Sequence, residues 1–157
     1  MGAEFSLYLR KKDEKDNSEN ILLFYFGSEN AYYLYHNDTG IEDTCNNVRG
    51  DDIPYKVFTE EHYRKIIITL DNSISIKKSV IKKLEKEIEN MSKLLPSAIT
   101  ENIYNKIKDD IFDITEELNY TQDFINNCLY MQKHFDFAKS VLELNSEDYE
   151  LVYMWGN

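Results

Sequence analysis

Residues 81–118 read IKKLEKEIENMSKLLPSAITENIYNKIKDDIFDITEEL, and the spacing within them decides the fold. Ile81, Leu84, Ile88, Met91 and Leu95 recur at intervals of three and four, which lines them along one face of a helix. Lys82, Lys83, Glu85, Lys86, Glu87 and Glu89 supply its wet side. Pro96 ends this helix, because proline has no N–H to donate and pushes the residue before it out of the α region. A second stripe follows: Ile99, Ile103, Ile107, Ile111, Ile114 and Leu118, then Ile125, Cys128 or Leu129, and Phe135. Left unbroken, that segment would run to about 40 residues, so a break is expected near Asn119–Thr121, with Thr121 capping a further helix. Two stripes joined by a short turn pack as an antiparallel pair. The heptad phase slips on both sides of Pro96, which favours a core contact over a sustained intermolecular coiled coil.

Outward from this centre the period changes. Phe5, Leu7 and Leu9 alternate with Ser6, Tyr8 and Arg10, a strand with one buried face. Lys11–Asn20 is too polar to bury and reads as a loop or hairpin tip. The continuous apolar run Ile21–Phe26, closed by Gly27, predicts a central strand. Asn30–His36 reads as a helical turn, Asn37–Asp52 as a long loop, and Tyr55–Phe58 as a short strand. Thr59 then caps a helix carrying Glu60 and Glu61 in its first turn and Tyr63, Ile66, Ile67 and Leu70 on its apolar face. Tyr149, Leu151, Tyr153 and Trp155 alternate with Glu150, Val152 and Met154, a last strand expected to pair with an N-terminal one. The expected elements are strands at 4–10, 21–26, 55–58 and 149–155, and helices at 60–71, 76–95, 98–118 and 121–138. Strands first, helices in the middle and one strand last imply a single α+β domain: a small antiparallel sheet covered by helices.

Composition narrows the function classes. The chain has 157 residues, a length for one domain with a real core. Its net charge of −11 is unevenly spread: −6 over residues 1–72, +3 over 73–94 and −8 over 95–157. Such a molecule repels nucleic acid, and only the lysine face of 77–86 suits a phosphate backbone. No apolar window is long enough for a membrane span, and the start of the chain lacks the basic and apolar regions of a signal peptide. Gly2 with Ser6 is only a loose myristoylation match. Cys45 and Cys128 read as reduced thiols of a cytoplasmic protein.

Three stretches carry a resemblance. Gly2–Arg10, the Phe24–Ala31 segment FYFGSENA and the closing Tyr149–Tyr153 look like small uncharacterised proteins encoded by bacteriophages and other mobile elements. The likeness covers the two ends of the chain, while region 97–120 departs from it. It implies a phage or host setting, and it carries over no catalytic residues.

Chemical signatures are absent. His36, His62, His134, Cys45 and Cys128 never fall at zinc-ligand spacing, and there is no phosphate-cradling glycine loop, so neither metal nor cofactor is expected. Cys128 lies on an apolar stripe and reads as core, whereas Cys45 lies in a polar loop and is the better thiol. The most distinctive polar feature is the cluster Asp109, Asp110, Asp113, Glu116 and Glu117, whose spacings of three and four gather like charges on one helical edge. It suits a basic partner surface, by imitation of nucleic-acid phosphates; a divalent cation or a plain solvated face are the other readings. Tyr32, Tyr33 and Tyr35 form an aromatic patch of the kind that anchors interfaces, although a sheet or core edge also uses such residues.

The sequence therefore predicts a non-enzymatic inhibitor, cytoplasmic and monomeric or homodimeric. It would bind a basic protein surface such as a defence nuclease or a toxin, with no direct contact to nucleic acid or membrane. In a phage setting this means an anti-CRISPR or anti-restriction protein; an immunity protein against a toxin would use the same acidity. A reading from another class is a small enzyme or ligand-binding module built on the 37–52 loop with His36 or Cys45. Self-assembly through the helix pair is a further one.

Overall fold

The computed structural model describes residues 2–13, 19–46 and 54–157. In chain order these form β1 (Glu4–Lys11), β2 (Ile21–Phe26), α1 (Ser28–His36), β3 (Lys56–Phe58), α2 (Glu60–Leu94), a 3-10 turn (Leu95–Ser97), α3 (Glu101–Glu143) and β4 (Tyr149–Gly156). The fold is α+β, a four-stranded antiparallel sheet plus a helical middle. The chain divides into two compact units, Met1–Leu70 with Met131–Asn157, and Asp71–Tyr130.

In the first unit the strand order is β2-β1-β4-β3. β1 and β4 pair along their whole lengths, from Glu4 opposite Gly156 to Lys11 opposite Tyr149. Directly paired residues share a face, so Phe5 with Trp155, Leu7 with Tyr153 and Leu9 with Leu151 make one continuous apolar surface. All six are buried. Ile66, Leu70, Met131, Phe135 and Ala138, from the parts of α2 and α3 in this unit, are buried with them. Phe135 is the hub: its ring lies 5.9 Å from Phe5, 5.1 Å from Phe24 and 5.7 Å from Phe58. Helix α1 closes the same face, where the Trp155 indole N–H donates to the Ala31 carbonyl at 2.8 Å.

The strand expected at the sheet's centre is at its edge. Among the described residues β2 pairs only with β1, and Ile21, Leu22 and Tyr25 are about half exposed. The run is apolar because two demands overlap in it. Phe24 and Phe26 enter the core, and a register shift opposite Leu7/Tyr8 leaves Leu23 as the extra residue of a bulge.

In the second unit Asp71–Leu94 runs antiparallel to Glu101–Tyr130, the helix pair that the two stripes predict. Ile74, Leu84, Ile125 and Cys128 are buried in its seam, and the Lys77 ammonium sits 5.3 Å from the Phe124 ring centre. Pro96 does interrupt the helix: the Ala98 N–H bonds to the Leu95 carbonyl, and α3 restarts with Thr100 Oγ1 accepting from the Ile103 N–H at 3.2 Å.

Two other expected breaks are absent. α2 is continuous through 72–75, where Ile74 holds the seam and the Ser75 carbonyl accepts from Ser79 Oγ. α3 is continuous through Asn119–Thr121. There Thr121 Oγ1 donates back to the Glu117 carbonyl at 2.8 Å, so a hydroxyl that could cap a new helix is satisfied inside the old one. No helix among the described residues is long and apolar enough to cross a membrane.

Candidate partner-binding surface

All five acids of the cluster lie on α3 in the second unit. At about 100° per residue, positions 109, 110, 113, 116 and 117 fall within an arc of about 120°. The helix is continuous through this region, and Ile107, Ile111, Ile114 and Leu118 lie half-buried on its other side. Asp109, Asp113, Glu116 and Glu117 are exposed, and Asp110 is half-buried. Asp110 is paired: the Lys106 ammonium reaches it at 2.7 Å and is itself held above the usual lysine range by that bond. Among the described residues no ion pair reaches the other four carboxylates. Lys106 offsets the nearer end of the face, and the excess of negative charge is a small standing cost within the helix that a cationic surface would offset.

The three tyrosines lie on α1 in the first unit and serve different ends. Tyr35 stacks on Trp155 with ring centres 4.3 Å apart. Tyr32 meets the same indole edge-on at 6.2 Å, and its hydroxyl donates to Asn157 at 3.1 Å. Tyr33 turns to α2, where its hydroxyl donates to the Thr69 carbonyl at 3.3 Å. Periodicity places them on one short helix but cannot see Trp155, far along the chain, which organises two of them.

Of the 37–52 loop, residues 47–52 lie outside the described residues. The part that is described is held tightly. Thr39, Ile41 and Thr44 are buried; Thr39 Oγ1 donates to the Leu34 carbonyl, and the Thr44 N–H and Oγ1 both reach the Trp155 carbonyl at 3.0 Å. His36 packs against Tyr32 and Tyr35, at 5.7 and 5.1 Å between ring centres. Cys45 is exposed and sits beside Gly156, where a Cβ would come within 2.8 Å of its sulfur. Neither cysteine is in a disulfide. Among the described residues no group of three or more His, Cys, Asp or Glu side chains could hold a metal ion. A cavity of about 460 Å³ is lined by Lys11, Asp13, Asp148 and Tyr149, none of them a candidate site residue from the sequence.

What sequence reading missed is a cluster around His62. Its ring stacks on Phe58 at 5.5 Å, meets Tyr153 edge-on at 5.5 Å, and reaches the Gly40 carbonyl through Nε2 at 3.2 Å. Beside it the Lys56 ammonium is bonded to Glu42, which holds that carboxyl below the usual range. The available signal was His62 three residues after the capping Thr59. No protein-family model, curated protein or solved structure matches this chain.

Proposed function

We propose that this protein is a non-enzymatic inhibitor that docks the acidic face of α3 onto a basic surface of another protein. In a phage setting the target is a host defence nuclease of the CRISPR or restriction type. The observation that supports this reading is the run of four exposed carboxylates, Asp109, Asp113, Glu116 and Glu117, which no ion pair among the described residues reaches. Carboxylates spaced along one helix face offer a basic groove the charge pattern it uses for phosphates, and long-range attraction would speed the encounter. The Tyr32 and Tyr35 surface beside Trp155 is a second contact region of interfacial character.

The test is affinity capture from nuclease-treated host lysate at low and high salt. The bait would be the natural chain and a variant carrying Asp109→Asn, Asp110→Asn, Asp113→Asn, Glu116→Gln and Glu117→Gln. A stoichiometric basic protein held by the natural chain at low salt is expected, released at high salt and at least tenfold depleted with the variant. Equal capture by both chains would end this reading.

A further inference from the structure

Along Tyr104–Leu118 the acids of α3 keep to one flank and leave the other apolar. At about 100° per residue, Ile107, Leu118, Ile111, Tyr104, Thr115 and Phe112 follow one another through an arc of about 140°. No carboxylate from this stretch falls inside it, because Asp109, Asp113, Glu116 and Glu117 turn the other way. Thr115 fits among apolar neighbours, since its Oγ1 donates to the Ile111 carbonyl at 2.7 Å and needs no other partner.

This arc is wider than one helix can cover, which is a stripe of roughly 100°. Within the unit Asp71–Tyr130, α3 has a single helical neighbour, Asp71–Leu94. Towards one end of the arc Ile107, Leu118 and Ile111 are half-buried, but towards the other Tyr104 is 39% exposed and Phe112 62%. A helix pair that leaves part of its apolar surface in water is half of a larger bundle.

We infer that this arc is a self-association surface, through which two copies of the chain pair about a two-fold axis and turn two helix hairpins into a four-helix bundle. Size supports a second copy as the occupant. Positions 71–94 span about 36 Å of helix, and two helices side by side are about 20 Å wide. Covering such a face on both copies removes about 1,400 Å² from water, within the range of specific, stable interfaces. Charge supports it as well. Lys108 is the one charged residue of this stretch within the arc, and its ammonium lies 5.3 Å from the Tyr104 ring centre. A cation set among apolar side chains suits an acidic partner, and the chain itself, at net −11, is one. Basic surfaces, which that net charge attracts elsewhere, would meet repulsion here. The acidic face of each copy stays on the outer flank, so this inference does not rest on the proposed function.

The test is sedimentation equilibrium on the intact chain from about 1 to about 100 µM. The mass should rise from 18.6 kDa toward twice that value. Over the same range the amides of Tyr104–Leu118 should gain at least about tenfold in exchange protection. Phe112→Glu replaces an exposed side chain by a good helix former, so helix content should hold while the dimer weakens at least about thirtyfold. The variant with all five acids neutralised should still dimerise, which separates this inference from the acidic-face reading. A chain that is monomeric throughout the range overturns it, and so does a dimer indifferent to Phe112→Glu or abolished by neutralising the acids. A foreign protein captured through Phe112 by a chain that stays monomeric would make that protein the occupant and overturn it too. Should Phe112→Glu lose helix content, the concentration dependence of exchange at Tyr104–Leu118 in the natural chain decides.

Discussion

Phe135 is where the sequence's two periodicities meet. It is the last member of a helical stripe, yet it touches Phe5, Phe24, Phe26 and Phe58 from three strands. It is 1% exposed, so truncation leaves a cavity that aromatic neighbours on a paired sheet cannot collapse to fill. Phe135→Ala should cost about 3–5 kcal/mol, read as a lower denaturant midpoint at unchanged slope. The two thiols contrast in the same physical terms. Burial pushes the Cys128 thiol up to about 11, so almost none is thiolate at pH 8, whereas Cys45 is exposed. A disulfide reagent at pH 8 should therefore titrate one thiol per folded chain, with the second appearing only in denaturant. Two fast thiols in the folded state would contradict the burial of Cys128.

At the scale of elements, the helix pair of Asp71–Tyr130 is unevenly supported. Its buried residues are Ile74, Leu84, Thr121, Ile125 and Cys128. From Glu85 to Tyr120 the seam residues, including Ile88, Met91, Ile107 and Ile114, are only half-buried, and Leu94, Ile99 and Phe112 are more than half exposed. Backbone hydrogen bonds there should open without global unfolding. Amides of residues 88–114 should exchange at least about a hundredfold faster than those of the β1–β4 ladder, and equal protection would disprove this. The same elements show what a sequence reveals. The alternation of Phe5–Leu9 and of Leu151–Trp155 and the stop at Pro96 are legible, because each is a local signal written in consecutive residues. Thr121 misleads because one hydroxyl serves either to cap a helix or to bond back within it, and only the seam around Ile125 and Cys128 decides. Ile21–Phe26 misleads because an apolar run cannot state which of its sides is paired.

At the scale of the molecule, the charges divide by unit as well as by sequence. The acidic face of α3 belongs to the helix pair, while Tyr32, Tyr35, Trp155 and the His62 cluster belong to the sheet unit. The acidic face is legible because five carboxylates stand within nine consecutive positions. The His62 cluster is not, because it joins residues from Gly40, Phe58 and Tyr153, which only the sheet brings together.

The order of the strands also sets a timetable. β1 lies between β2 and β4, and the Arg10–Glu150 pair on that central ladder joins positions 140 residues apart. During synthesis β1 can pair with β2 almost at once, but its other edge waits until β4, Tyr149–Gly156, has been made. Until then the apolar face of Phe5, Leu7 and Leu9 has half its partners, and closing so long a loop makes the last strand's arrival the slow, exposed step. A ribosome stalled inside the helix pair would hold out an unfinished sheet, its apolar face open to whatever surface comes near.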